Sequence, residues 1–159
     1  MMPVRPFAPT IEDSETWLET MLARQGSMLN ELAQISAVTP RDTLVSNPDA
    51  ALPRIAAFLD ATDLSTATED ALAWLVNRLG LFVACWFVAR HGGSLKVQTD
   101  SRQRFYGHIV LTGMRPPVPA DARLDPFAVA FDAVTANPRI PLGNLLTVAE
   151  SELLRFGSP

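Results

Sequence analysis

The chain has 159 residues, 48% of them hydrophobic and 19% charged, with a formal net charge of −4 and a single cysteine. That length and apolar content predict one globular domain over residues 1–159 with a core of its own, and exclude a disordered chain. One cysteine excludes an intrachain disulfide and the CxxC metal frameworks, and the acidic balance argues against nucleic acid as partner, because phosphate contacts need positive faces.

Residues 1–9, with three prolines, read as an extended arm. Asp13 or Ser14 is the expected N-cap of a first helix, with Glu15 and Glu19 near its positive end. Trp17, Leu18, Met21, Leu22, Met28, Leu29, Leu32 and Ile35 recur at helical spacing through it. Thr39–Asp42 ends this helix. Asn47-Pro48 opens the next by N-cap and first-position chemistry. Leu52, Ile55, Ala56 and Leu59 form its inner face, and Pro53 is expected to kink or split it.

Thr66-Ala-Thr-Glu69 fits a capping box and starts a helix over about 67–91. Leu79 to Ala89 carries no charge, and a helix apolar on all sides must be buried on all sides. This is the predicted central helix. Its apolar run of 11 residues is shorter than the roughly 20 that a membrane span needs, so no membrane association is expected. Residues 1–10 contain no apolar stretch of signal-peptide type, and a cytoplasmic location is expected. Gly92-Gly93 stops the helix, with His91 in its last turn.

The hydrophobic period then changes. Leu95 and Val97 alternate with polar neighbours, and His108 to Thr112 forms a second apolar run, so an antiparallel hairpin is predicted at about 94–99 and 107–112. It is expected to pack on the central helix, with Trp86 and Phe87 as contacts. Arg115 to Pro119 is too proline-rich for a helix or central strand. Asp125-Pro126 opens a further helix lined by Phe127, Ala130, Phe131 and Val134, ending at Asn137-Pro138. Leu142 to Phe156 is the last, with Leu142, Leu145, Leu146, Ala149, Leu153 and Phe156 inward. The fold class is therefore α+β and mainly helical: four to five helices around a buried central one, plus the hairpin.

No catalytic motif is legible. His91 and His108 are too few, and too irregularly spaced with Cys85 and Asp100, for a metal centre, so neither metal nor cofactor is expected. Cys85 lies in the apolar run, where a thiol stays protonated and inert. His91 reads as a helix-capping residue and His108 as a surface strand residue. Glu12, Asp13, Glu15 and Glu19, and also Glu69 and Asp70, stand where helix starts favour negative charge; Glu150 and Glu152 read as a solvated helix face.

The distinctive polar stretch is Asp100-Ser-Arg-Gln-Arg-Phe-Tyr-Gly107, which holds the only tyrosine. Arg and aromatic residues on a loop are the residue types of protein-binding hot spots. Around it, residues 90–124 carry a net +4 through Arg90, Lys96, Arg102, Arg104, Arg115 and Arg123 against Asp100 and Asp121. Such a segment suits a protein partner with acidic groups. Arg102, Arg104, Phe105, Tyr106 and His108 are the candidate binding residues.

Residues 79–127 contain Leu-Gly within a helix, an Arg-His-Gly-Gly stop, Tyr-Gly-His-Ile-Val-Leu-Thr-Gly and a downstream Asp-Pro-Phe. This arrangement resembles a loose group of small bacterial proteins, some of them similar to immunity proteins encoded beside secreted antibacterial toxins. The resemblance implies a non-enzymatic protein that binds and neutralises a toxin, and it carries over no catalytic residue. Two other classes fit the sequence: a small-molecule binder or small enzyme with a pocket between hairpin and helices, using His108, Arg102 or Tyr106, and a homo-oligomeric scaffold built on the first helix.

Overall fold

The structure is a computed structural model that describes residues 10–155. The expected arm at 1–9 and the inward Phe156 lie outside the described residues. Among these there are six helices and a two-stranded antiparallel sheet, so the mainly helical α+β class holds. Five helices accompany the central one, within the expected four to five; one of them, a short turn, was not expected at its position.

Helix α1 spans Ile11–Ile35. It starts one turn earlier than Asp13 or Ser14 would allow. Thr10 is the cap, with extended backbone and its Oγ1 accepting the Asp13 N–H at 3.0 Å. Glu12 and Asp13 then complement the positive end from inside the first turn. Ser14 is instead buried within the helix. Met21, Met28, Leu29 and Leu32 face the core, whereas Leu22 and Ile35 are largely exposed.

That unexpected helix, α2, is a single turn over Thr43–Ser46. Its only buried residue is Leu44, whose side chain anchors the turn in the core. Helix α3 spans Pro48–Ala61, with Pro48 at the first position as expected; the Asn47 side chain makes no capping bond. Pro53 lies on an exposed side and does not split it.

Helix α4, Glu69–His91, is the central element. Its cap is Thr68, whose Oγ1 accepts the Ala71 N–H at 3.1 Å, and not Thr66. Leu79, Leu81, Phe82, Val83 and Phe87 have no exposed surface. Each contributes about 1.5–3 kcal/mol by leaving water. By length and composition alone α4 is long and apolar enough to cross a membrane, but 67% of its apolar window is buried inside the fold. It also buries Arg78, which donates to Glu31 of α1 at 3.1 Å and to the Trp74 carbonyl at 3.1 Å, with its guanidinium 4.0 Å from the Trp74 ring centre.

Gly92, at φ 73°, ends α4 in the left-handed region that glycine adopts without strain. Strand β1, Ser94–Val97, then pairs antiparallel with β2, Ile109–Thr112, from Ser94 opposite Thr112 to Val97 opposite Ile109. The Gln98 N–H donates to the His108 carbonyl at 2.8 Å and extends the pairing by one step. The hairpin packs chiefly against α1, with β2 also against the next helix, α5 (Pro126–Thr135). Trp86 is turned elsewhere: its Nε1 donates to Asp49 of α3 at 2.8 Å.

One pairing has no counterpart in the expected pattern. Leu124, beyond the proline-rich loop, forms a reciprocal backbone bridge with Leu111, at 2.7 and 3.2 Å. It covers the free side of β2 and sets the next residue, Asp125, beside the hairpin. Asp125 caps α5, Pro126–Thr135, by accepting the Phe127 and Ala128 N–H groups. Phe127, Ala130 and Val134 are buried as expected, but Phe131 is 56% exposed. Helix α6, Leu142–Arg155, closes the core with Leu142, Leu146, Ala149 and Leu153.

Candidate functional site

The loop joining β1 to β2 carries all five residues singled out by sequence. Its ends are held by the backbone. Gln98 donates to His108, and Gly107 donates back to Gln98, both at 2.8 Å. The His108 N–H closes a four-residue turn on the Phe105 carbonyl at 2.8 Å. Gly107, in that turn's third position, has φ 79°. Phe105 itself stands at φ 67°, a conformation costly for a bulky residue and kept only where the surroundings hold it.

Those surroundings are specific. The Ser14 hydroxyl, buried on α1, donates to the Gly107 carbonyl. The Gln98 side-chain carbonyl accepts the Asp100 N–H at 3.2 Å. His108 Nδ1 lies 2.8 Å from Oδ2 of Asp125. The loop is thus tied to α1, to the strand base and to the start of α5.

Arg102 is highly exposed, and its guanidinium is turned onto Asp100, Nε to Oδ1 at 3.1 Å and Nη2 to Oδ2 at 3.2 Å. That contact, and then the Arg102 N–H, hold the Asp100 carboxyl below the usual carboxylate range. Arg104 places its guanidinium 4.8 Å from the Phe105 ring centre. Phe105 is half-buried, its ring 6.0 Å from that of His108. Tyr106 is 49% exposed. The structure therefore brings the five residues into one loop and gives the two arginines neighbours of their own.

His108 is not a plain surface histidine. Its side chain is 34% exposed, and its carboxylate partner Asp125 is 2% exposed. The sequence showed no carboxylate in such a position. The signal was present, because Asp-Pro marked Asp125 as a cap, but the second oxygen's partner comes from a segment 17 residues earlier.

The two histidines lie at opposite ends of the hairpin. His91 Nε2 meets Oε2 of Glu150 on α6 at 2.7 Å. Arg90 donates to the same carboxylate through Nε at 2.6 Å and Nη2 at 3.1 Å. Glu150 is thus an anchor of the α4 end and not a member of a solvated face. Arg90, and more weakly His91, hold its carboxyl below the ordinary range. Burial pushes the Cys85 thiol up to about 11. Among the described residues no three of His, Cys, Asp and Glu form a group that could hold a metal ion.

Compared with protein-family models, with curated proteins and with solved structures, the chain finds no match.

Proposed function

We propose that this chain is a non-enzymatic protein-binding protein, acting in the cytoplasm, that docks a partner protein through the Asp100–His108 loop. The observation that carries the reading is that the loop is anchored at its base to three elements while Tyr106, Arg102 and Arg104 stay exposed at its surface. A loop ordered before binding loses little conformational entropy on association, so an exposed aromatic on it is a good anchor. The sharpest form of the proposal is an immunity protein that occludes a secreted bacterial toxin, motivated by the resemblance over residues 79–127.

The test is to purify the chain with the product of a toxin gene from its genomic neighbourhood. Binding is measured by calorimetry and protection by growth on co-expression. A complex that Tyr106→Ala weakens about tenfold or more supports the reading. Absence of both binding and protection overturns the immunity form, and binding indifferent to Tyr106→Ala removes the loop from it.

A further inference from the structure

The loop's charged groups leave it with a different recognition chemistry from the one its composition suggests. Arg102 is closed on Asp100, and Arg104 lies over Phe105. Both arginines remain exposed but already have neighbours, whereas no hydrogen bond among the described residues engages Tyr106 or one nitrogen of His108.

The Asp125 carboxylate decides which nitrogen. Its Oδ1 accepts two backbone N–H groups, from Phe127 at 3.0 Å and Ala128 at 3.1 Å. Its Oδ2 lies 2.8 Å from His108 Nδ1. A carboxylate only accepts hydrogen bonds, so Nδ1 carries the proton. In the neutral ring Nε2 then holds a lone pair. No hydrogen bond among the described residues reaches Nε2, and the side chain is 34% exposed.

His91 shows the opposite arrangement. Its Nε2 is the nitrogen on a carboxylate, Glu150, and its side chain is only 13% exposed. The two histidines of the chain are thus set in opposite tautomers, and only His108 turns its free nitrogen to an exposed loop.

We propose that His108 Nε2, oriented by Asp125, is the hydrogen-bond acceptor through which the loop takes its protein partner, so that the partner's contacting group is an N–H or O–H donor and not a carboxylate. This rests on the docking reading above and names the chemistry of the same site. Asp125 is a positioning residue: it acts by holding the ring. Tyr106, two residues away on the same turn, is the exposed aromatic of the loop.

Two measurements test this. Nitrogen-15 NMR of the full chain, above the pH at which the ring protonates, reads the tautomer directly. The expected result is a protonated Nδ1 and a bare Nε2 in His108, lost to a mixture in Asp125→Ser, whose hydroxyl still caps α5. A His108 with its proton on Nε2 overturns the proposal without reference to any partner.

The second measurement uses the neighbouring-gene toxin as binding probe. His108→Gln keeps an acceptor near the Nε2 position and should stay within about tenfold of the native affinity, while His108→Lys, which offers only donors, should weaken it by more than that. If His108→Lys binds as tightly as the native chain or tighter, the contacting group is an anion and this proposal is wrong, although docking by the loop stands. If His108→Gln, His108→Lys and Tyr106→Ala all bind like the native chain, the docking reading fails and takes this one with it.

Discussion

Gly80 of α4 sits so close to the ring of Phe127 on α5 that a Cβ at that position would lie 2.2 Å from Cδ1 of the ring. The ring of Phe127 occupies the space that a side chain at Gly80 would need. Phe127 is fully surrounded, and Trp17 of α1 tilts against it with ring centres 5.4 Å apart. The ring has no free direction in which to move.

Gly80→Ala should therefore destabilise the protein. Alanine gains up to about 1 kcal/mol of helix propensity over glycine, but overpacking a filled core costs about 1–3 kcal/mol. A 2.2 Å approach puts the packing cost at the upper end, so the expected net loss is about 2 kcal/mol, read from urea unfolding with an unchanged slope. A neutral or stabilised variant would show that the helices separate easily, against the packing described here.

The start of α4 separates two neighbouring threonines. Thr68→Ala removes the hydroxyl that accepts the Ala71 N–H and should cost about 1 kcal/mol. Thr66→Ala touches no cap and should fall within about 0.5 kcal/mol of the native value. Thermal unfolding of the pair checks this. Equal losses, or a larger one at Thr66, would return the cap to the position expected from sequence.

Glu150 links α6 to the end of α4 in a pH-dependent way. The guanidinium of Arg90, and next His91, hold its carboxyl low against an opposing effect of burial. The folded value thus lies below the unfolded one. The stabilisation is complete above the ordinary Glu pKa of about 4.3 and is lost as the pH falls through the folded value. Glu150→Gln should cost about 0.5–1 kcal/mol at neutral pH and flatten the acid side of the stability profile. A native and a variant profile that run parallel down to pH 3 would dissociate Glu150 from acid sensitivity.

Cys85 should be unreactive in the folded protein. Its thiol is pushed up to about 11 by desolvation, only partly offset by a hydrogen bond from the Gln25 side chain. At pH 8 the thiolate fraction is then about a thousandth, by the tenfold-per-unit relation. Alkylation by iodoacetamide should be slow in buffer and fast in denaturant. Comparable rates in the two would mean that the thiol is solvated.

The helices were legible because the signals that make them are local. Asp125-Pro126 and Asn47-Pro48 mark two starts, Gly92 marks an end, and the apolar run from Leu79 to Ala89 marks the buried centre. Local signals failed where two residues of one type compete, as with Thr66 and Thr68, or where a helix has apolar residues to spare. Phe131 and Leu22 share the spacing of their buried neighbours, yet among the described residues no element covers them. Pro53, expected to kink or split α3, lies on an exposed side of a helix that continues through it.

By itself the sequence determined the class of fold, the central place of α4, the hairpin and the loop that bears Arg102, Arg104, Phe105, Tyr106 and His108. These follow from periodicity and from capping and turn chemistry, which act over a few residues. Only the tertiary structure decided which polar groups meet: His108 with Asp125, Ser14 with Gly107 across 93 residues of chain, and Glu150 with both Arg90 and His91. Each of those contacts needs two elements brought together by burial of apolar surface elsewhere, so no spacing along the chain records it. The loop was visible as composition, but the nitrogen it offers was set by a carboxylate that the Leu111–Leu124 bridge carries to its side.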